Sequence, residues 1–453
     1  MVAGDLSGHF LFGSNERIAW SDLVGGSVLN GRRKELRGRS VLLTSKDQLR
    51  TATVLVELDG VARRIVLCPP DLNVEYFPYI KDAAETDAVV SDDGLSSACT
   101  TVDADAFYCC GGPINSGIDD RTSLYQTEWI LLTSGTTGVP KLVVHTLASL
   151  IDAIHLPAEP RLSLIWSTFY DIRRYGGLQI FLRAALTGTS LVLSGETESI
   201  GDFLVRIGSH GTTHISGTPS HWRTALMSTS ANALDPKNVR LSGEVADQSI
   251  LNHVKDVYPL AGITHVFAST EAGIAFEVND GVAGFPADIL DSTPGIDMKV
   301  EDGSLRIRSA RTAERYLGHS APALKDEDGF VDTGDILELR EGRYHFAGRR
   351  DGVINVGGRK VHPEEVEAVI NRHPEVQMSL VRRKRNPVTG AVVVADVVLK
   401  RALPTYSCDV VHLQESILQL CRGTLSAYKV PVTIRFVPSL AVSGSGKMVR
   451  ADA

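Results

Sequence analysis

The residues best equipped for chemistry lie in residues 131–146, LLTSGTTGVPKLVVHT. An apolar run, Trp129-Ile130-Leu131-Leu132, has the character of a buried strand end, and it breaks into Thr133, Ser134, Gly135, Thr136, Thr137, Gly138, Val139, Pro140 and Lys141. Gly135 and Gly138 allow a sharp turn that exposes successive backbone N–H groups to one side. The hydroxyls of Thr133, Ser134, Thr136 and Thr137 add donors, and Lys141 adds a positive charge with no carboxylate nearby. Donors in series beside a cation suit an oligophosphate. A Gly/Ser/Thr turn can also be plain surface loop, but this many residues in this order favour the phosphate reading. The spacing Gly135-x-x-Gly138-x-x-Lys141 is not that of the G-x-x-x-x-G-K-[ST] loop. Gly446-Lys447 fails that test too, with Ala441 in place of the first glycine and Met448 in place of Ser/Thr.

Four further stretches carry charged or turn residues in chain order. They are Leu241-Ser242-Gly243-Glu244, Phe267-Ala268-Ser269-Thr270-Glu271, Asp332-Thr333-Gly334-Asp335 and Ser443-Gly444-Ser445-Gly446-Lys447. Each is unspecific by itself: Ser-Gly and Asp-Gly turns are common, a glutamate can be a solvated helix-start residue, and a tail lysine is by default exposed.

Taken together, TSGTTGVPK and these four stretches resemble the adenylate-forming superfamily, which holds acyl- and aryl-CoA synthetases, nonribosomal peptide synthetase adenylation domains and beetle luciferases. The resemblance is firm from about residue 130 onward and covers residues 1–128 only in outline. It implies that the loop from Thr133 to Lys141 cradles the β- and γ-phosphates of ATP, that Glu271 reaches Mg²⁺, and that Asp335 accepts both ribose hydroxyls. A carboxylate suits that last task because it offers two acceptor oxygens. Gly243 and Glu244 fall at the adenine-side turn, with Phe267, Ala268, Ser269 and Thr270 on the AMP-binding segment. Phe267 and Ala268 replace a more usual tyrosine and glycine. Lys447 is implied as the catalytic lysine, with Ala441 where a proline is usual.

Residues 348–360, GRRDGVINVGGRK, resemble the family's hinge and first C-terminal hairpin. Arg349 is then expected on ATP-derived oxygens, and Asp351 as the pivot. Lys360 is expected on the AMP side, where many members have a phosphate-contacting arginine, so a bidentate fork becomes a point charge. Gly357 and Gly358 are expected to line a tunnel for a pantetheine thiol, since close approach of that arm excludes side chains. The acyl pocket is expected to draw on Tyr170, Arg173, Tyr175 and Gly176. Arg173 either pairs with Asp171 or meets a polar group on the substrate.

The implied function is ATP-dependent activation of a carboxylic acid to an acyl-adenylate, followed by transfer to the thiol of CoA. The aromatic residues of the 169–177 segment lean the choice toward an aryl acid. Two alternatives stand beside it: an adenylation enzyme that loads a carrier-protein phosphopantetheine, and a non-catalytic nucleotide-binding protein.

The remainder of the chain constrains the setting. Its 453 residues exceed one core, and 43% hydrophobic with 22% charged residues describe an ordinary globular protein. A net charge of −8 argues against nucleic acid as a partner. Six cysteines without C-x-x-C spacing argue for reduced thiols over zinc or disulfides. No apolar run reaches spanning length and no export signal is visible, so a cytoplasmic location is expected.

The elements that must position these residues read as α/β. Val41-Leu42-Leu43, Arg64-Ile65-Val66-Leu67 and Ala88-Val89-Val90 are strand-length apolar runs between helical stretches, as in a parallel sheet with helices on both faces. The spacing predicts strands at 164–166 and 190–193, a helix over 178–186, and over 214–219 a strand running into a helix start near Ser220. The expected architecture is a large domain over 1–348, its first subdomain shortened, made of doubly wound sheets plus a β-rich subdomain. A hinge at 349–352 leads to a small, mobile α+β domain over 353–453. There Pro363-Glu364-Glu365 opens a helix with Val366, Val369 and Ile370 buried. The run Arg382-Arg383-Lys384-Arg385 reads as a solvated face or as a contact for a CoA phosphate or an acidic carrier protein.

Overall fold

A computed structural model describes residues 8–92, 104–111, 115–116, 125–133, 139–156, 163–387, 389–401 and 408–450. Two large sheets organise the first three quarters of it. The first has seven strands, in the order Arg315–Leu317, Lys141–Thr146, Glu128–Thr133, Arg64–Leu67, Ser40–Leu43, Ala88–Ser91 and Ala106–Cys109. Its strands from Glu128–Thr133 outward are parallel, as their unbroken Val/Ile/Leu runs predict. Helices Gln48–Leu58 and Phe77–Ala84 cover it, the first capped by Asp47, whose carboxylate accepts the Leu49 and Arg50 N–H groups.

The second sheet has eight strands: Gly273–Val278, Gly262–Ser269, Asn238–Ser242, His214–Gly217, Ile165–Thr168, Ser190–Val192, Phe10–Phe12 and Arg17–Ala19. Its central strands are parallel and its helices, Tyr175–Thr187, Ile200–Ser209, Pro219–Ala225 and Gln248–Val257, lie between consecutive strands. Most of the core residues shared by the two sheets come from apolar strand and helix faces, with Trp20, Trp129 and Phe181 fully buried. The strand Phe10–Phe12 pairs with its sequence neighbour Arg17–Ala19 on one side and with the distant Ser190–Val192 on the other, which ties the N-terminal hairpin to the second sheet.

A five-stranded antiparallel sheet follows, with Val331–Arg340 and Arg343–Arg349 at its centre. The turn at Asp302-Gly303 has both residues at positive φ (52° and 76°), the geometry of a two-residue hairpin. Beyond the short turn Arg350–Gly352, residues 354–436 build their own core from the helices Pro363–Ile370 and Cys408–Thr424 and a three-stranded sheet. The α/β expectation with a separate C-terminal α+β unit therefore describes the fold. In that sheet Arg382 is ion-paired to Asp396. Among the described residues, Cys68, Cys109, Cys110 and Cys421 are free thiols, and no helix is long and apolar enough to cross a membrane.

Candidate active site

The eight-stranded sheet delivers its loops at the carboxyl ends of its strands, where doubly wound sheets place ligands. Asn238–Ser242 leads into Gly243 and Glu244, and Gly262–Ser269 leads into Thr270 and Glu271. The antiparallel sheet adds Asp335 and Arg349, which face each other across neighbouring strands. A cavity of about 280 Å³ opens where these meet the C-terminal helix Pro363–Ile370 and the tail carrying Lys447.

Lys447 arrives on a short hairpin closed by Ser443 N–H donating to the Lys447 carbonyl at 2.8 Å. Two anchors seat it. The Thr218 hydroxyl donates to the Gly446 carbonyl at 2.5 Å. Glu244 accepts the Ser220 N–H on one oxygen and the Met448 N–H on the other, both at 3.0 Å. Gly446 has φ +74°, and the His221 ring occupies the space a Cβ would need, so the tail can pass here only as glycine. The Lys447 ammonium still reaches solvent through the cavity mouth, yet crowding by protein atoms and the nearby Arg349 hold its pKa below the usual lysine value. Glu244, Asp335 and Glu271 pull it back up. Four charged residues from three separate stretches of the large part thus act on one ammonium. Desolvation pushes the Asp335 carboxyl up, against the pull of Arg349 and Lys447.

Opposite, three rings stand in register. Phe267 stacks on Phe276 at 5.5 Å and 15°, and on Phe346 at 5.1 Å and 8°, and all three line the cavity. Aromatic faces beside a carboxylate and two cations form a place for a flat base, a vicinal diol and phosphate oxygens.

Comparison with known proteins decides the family. The family model for AMP-binding enzymes matches residues 80–317, and that for the AMP-binding enzyme C-terminal domain matches residues 365–447. The chain belongs to the AMP-binding enzyme family. The 2-succinylbenzoate–CoA ligase of Salmonella typhimurium is 31% identical over 79% of this chain and 75% of its own length. That of Geobacillus kaustophilus is 26% identical over 92% of this chain and 87% of its own. Among solved structures, the anthranilate CoA ligase AuaEII in complex with anthranoyl-AMP has a TM-score of 0.79 at 18% identity, covering 98% of this chain and 93% of that one. The amide bond synthetase McbA from Marinactinospora thermotolerans has a TM-score of 0.78 at 18% identity, covering 98% and 96%.

Within this AMP-binding enzyme, Gly243, Glu244, Phe267, Ala268, Ser269, Asp335, Arg349 and Lys447 all line one cavity. Thr270 and Glu271 follow at its edge, where the Tyr316 hydroxyl donates to Glu271 Oε1 at 3.3 Å. Thr133 ends its strand and Lys141 opens the next, its ammonium 5.2 Å over the Tyr316 ring. Ser134, Gly135, Thr136, Thr137 and Gly138 lie outside the described residues.

Other expected residues are placed elsewhere. Asp351 is exposed in the turn Arg350–Gly352, and Lys360, Gly357 and Gly358 are exposed on the hairpin of Ile354–Val356 and Arg359–Val361, off this cavity. Tyr170 and Tyr175 are buried. The Tyr170 hydroxyl donates to the Ser242 carbonyl at 2.6 Å, and its ring lies against Gly176. Arg173, at 2% exposure, takes the first of its two expected partners: its guanidinium pairs with Asp171 and also donates to the Ser45 carbonyl.

The sequence reading missed Glu364, Glu367, Asn371 and Arg450, which form the C-terminal wall of the cavity. Arg450 pairs with Glu367 at 2.9 Å and Glu364 at 3.2 Å. Burial pushes the Glu367 carboxyl well above the usual carboxylate range, with Arg450 opposing. A signal existed: Pro363, Val366, Glu367 and Ile370 are spaced i, i+3, i+4, i+7, which puts Glu367 on the buried stripe. Also unforeseen was the seam between the two parts. Arg223 pairs with Asp247 at 2.6 Å and donates to the Gln377 carbonyl at 3.1 Å, while Asn371 donates to the same Asp247 at 3.0 Å.

Proposed function

We propose that this chain activates an aryl carboxylic acid with ATP and passes the acyl group to the thiol of CoA. It is an AMP-forming acid–thiol ligase. The observation that carries the reading is the convergence of Lys447 with Glu244, Asp335, Glu271 and Arg349 across some two hundred residues of chain. The aryl preference is supported by the names of the relatives, 2-succinylbenzoate–CoA ligases.

In the first half-reaction a substrate carboxylate oxygen bonds to the α-phosphorus of ATP and the bond to the pyrophosphate oxygen breaks. Both oxygens are anionic, so the barrier is chiefly repulsion and alignment. Lys447 holds the carboxylate against the α-phosphate, and the 133–141 loop with Lys141 takes the departing phosphates. Asp335 holds the ribose hydroxyls, and the Phe267, Phe276 and Phe346 rings take the base. Mg²⁺ fits the donor set: Glu271 supplies one carboxylate beside the phosphate loop, and Mg²⁺ commonly takes one or two carboxylates with phosphate oxygens and water. When bound it neutralises charge on the phosphates. In the second half-reaction the thiol sulfur bonds to the acyl carbon, AMP leaves with the bonding pair, and the thiol proton is lost to solvent. Gly357, Gly358 and Asp351 serve this second step, in which the C-terminal unit turns at residues 349–352, and Lys360 contacts phosphate oxygens. A cytoplasmic setting belongs to the same reading.

Acid-dependent pyrophosphate release tests it, with ATP, Mg²⁺ and a panel led by 2-succinylbenzoate and anthranilate, with and without CoA. Release with an aryl acid that rises with CoA and disappears in Lys447→Ala establishes the ligase. Release indifferent to CoA redirects the acceptor to a carrier-protein thiol. No release with any acid overturns the enzymatic reading.

A further inference from the structure

The turn that carries Glu271 belongs to the eight-stranded sheet, yet its hydrogen bonds run to the other sheet. His145 lies in Lys141–Thr146, four residues after the phosphate-loop lysine, and is fully buried. Its Nε2 sits 2.7 Å from the Thr270 carbonyl and its Nδ1 2.9 Å from the Ser149 hydroxyl. A carbonyl can only accept, so Nε2 carries the proton and donates. Tyr316 stands on the neighbouring strand Arg315–Leu317, opposite Val143, and its hydroxyl donates to Glu271 Oε1 at 3.3 Å. Between them the Ala313 N–H donates to the Glu271 carbonyl at 2.9 Å. The carboxylate and both backbone carbonyls of Thr270-Glu271 are thereby held from the strand pair that also bears Lys141 and from Ala313, just before the strand Arg315–Leu317.

Nothing in the fold of the eight-stranded sheet alone demands this. A buried imidazole N–H needs an acceptor in any case; the one His145 uses is the carbonyl next to Glu271, contributed by another sheet. We infer that His145 and Tyr316 are positioning residues that fix the Glu271 carboxylate relative to the phosphate loop, so that a divalent cation is bound at the distance the triphosphate sets. The inference rests on Glu271 being the carboxylate that takes the cation. Groups that orient a metal-binding carboxylate typically alter metal affinity about 10- to 100-fold when removed.

The test measures two quantities in the full-length protein: Mn²⁺ binding in the presence of a non-hydrolysable ATP analogue, by electron paramagnetic resonance, and the Mg²⁺ concentration that half-saturates pyrophosphate release. His145→Leu and Tyr316→Phe are expected to weaken Mn²⁺ binding and raise the Mg²⁺ requirement roughly 10-fold. Binding of the analogue without metal and the KM for the carboxylic acid should stay at wild-type values. His145→Gln, whose amide can donate to the Thr270 carbonyl, should restore most of the loss, which a packing role would not explain. Glu271→Gln is run beside them. If it shifts the metal dependence while His145→Leu and Tyr316→Phe do not, the positioning inference is overturned and the role of Glu271 stands. If Glu271→Gln shifts nothing, the role of Glu271 falls and the inference with it. Should His145→Leu fail to fold, Tyr316→Phe decides by the same criterion, since it keeps the ring over Lys141.

Discussion

Glu271 and Lys447 act on the same cavity from opposite sides, and their supports differ in kind. The Glu271 turn closes the strand pair of Gly262–Ser269 and Gly273–Val278 and is bonded through its backbone to Ala313 and His145. The Lys447 hairpin pairs with no strand of the large part. Two contacts made by single side chains, Thr218 on Gly446 and Glu244 on Met448, seat it there. A net hydrogen bond is worth about 1 kcal/mol, and one to a charged group about 1.5–3 kcal/mol. A few such bonds hold a loop firmly enough to act and loosely enough to leave. The wall that carries Glu271 is built into the sheets, whereas the lysine is docked. On the function proposed above, a two-step reaction that uses the lysine in its first step is served by that division.

The strongest way to break the comparison is Lys447→Ala. Loss of one preorganised charge should slow acid-dependent pyrophosphate release about 100- to 1,000-fold. Equilibrium binding of ATP, held by the fixed wall, should change little by calorimetry. A large loss of ATP affinity would show that the lysine is part of the wall.

The docked side should also carry the pH sensitivity. Burial raises the Glu367 carboxyl from 4.5 to about 7. Its protonated form is therefore favoured in the folded state. The stability it contributes is complete below pH 4.5 and is lost as pH rises through about 7, a change of up to about 3 kcal/mol. Thermal melts of the wild type should fall across that window relative to Glu367→Gln, which lacks the titration. Parallel pH curves for the two proteins would contradict the assignment.

Smaller changes sharpen the picture. Gly446→Ala places a methyl against His221 at a positive φ, and should slow adenylate formation about 10-fold with a smaller effect on thiol transfer from a supplied acyl-adenylate. Thr218→Val removes the bond to Gly446 and a helix cap, and should lower stability by about 1 kcal/mol with a several-fold slower first step. Thr218→Ser should restore both. Equal slowing of both half-reactions by Gly446→Ala would mean that the tail stays docked throughout.

Much of this was legible in the chain because its signals are local. Strands such as Arg64–Leu67 and Ala88–Ser91 are short apolar runs bounded by turn residues, and the helix Pro363–Ile370 announces itself by its first-turn proline and acids. Arg173 shows the limit. Its neighbour Asp171 was visible as a partner, but the Ser45 carbonyl that completes its burial comes from a different sheet region. Glu367 reads as one more acid at a helix start, and only the burial of its stripe in the folded protein raises its carboxyl, against the pull of Arg450 and the Val381 N–H.

By itself the sequence determined which groups are present and in what order: donors in series around Lys141, carboxylates at Glu271 and Asp335, and a glycine-flanked Lys447. Those choices are fixed by side-chain chemistry and by backbone needs within a few residues. The tertiary structure alone decided that Phe10–Phe12 crosses to the second sheet, that Arg315–Leu317 lies beside Lys141–Thr146, and that His145 and Tyr316 reach the Glu271 turn. The reason is physical. Apart from Tyr316 and Glu271, 45 residues apart, these contacts join segments more than a hundred residues apart, and such pairings follow from how whole sheets bury their apolar faces, which no local spacing encodes.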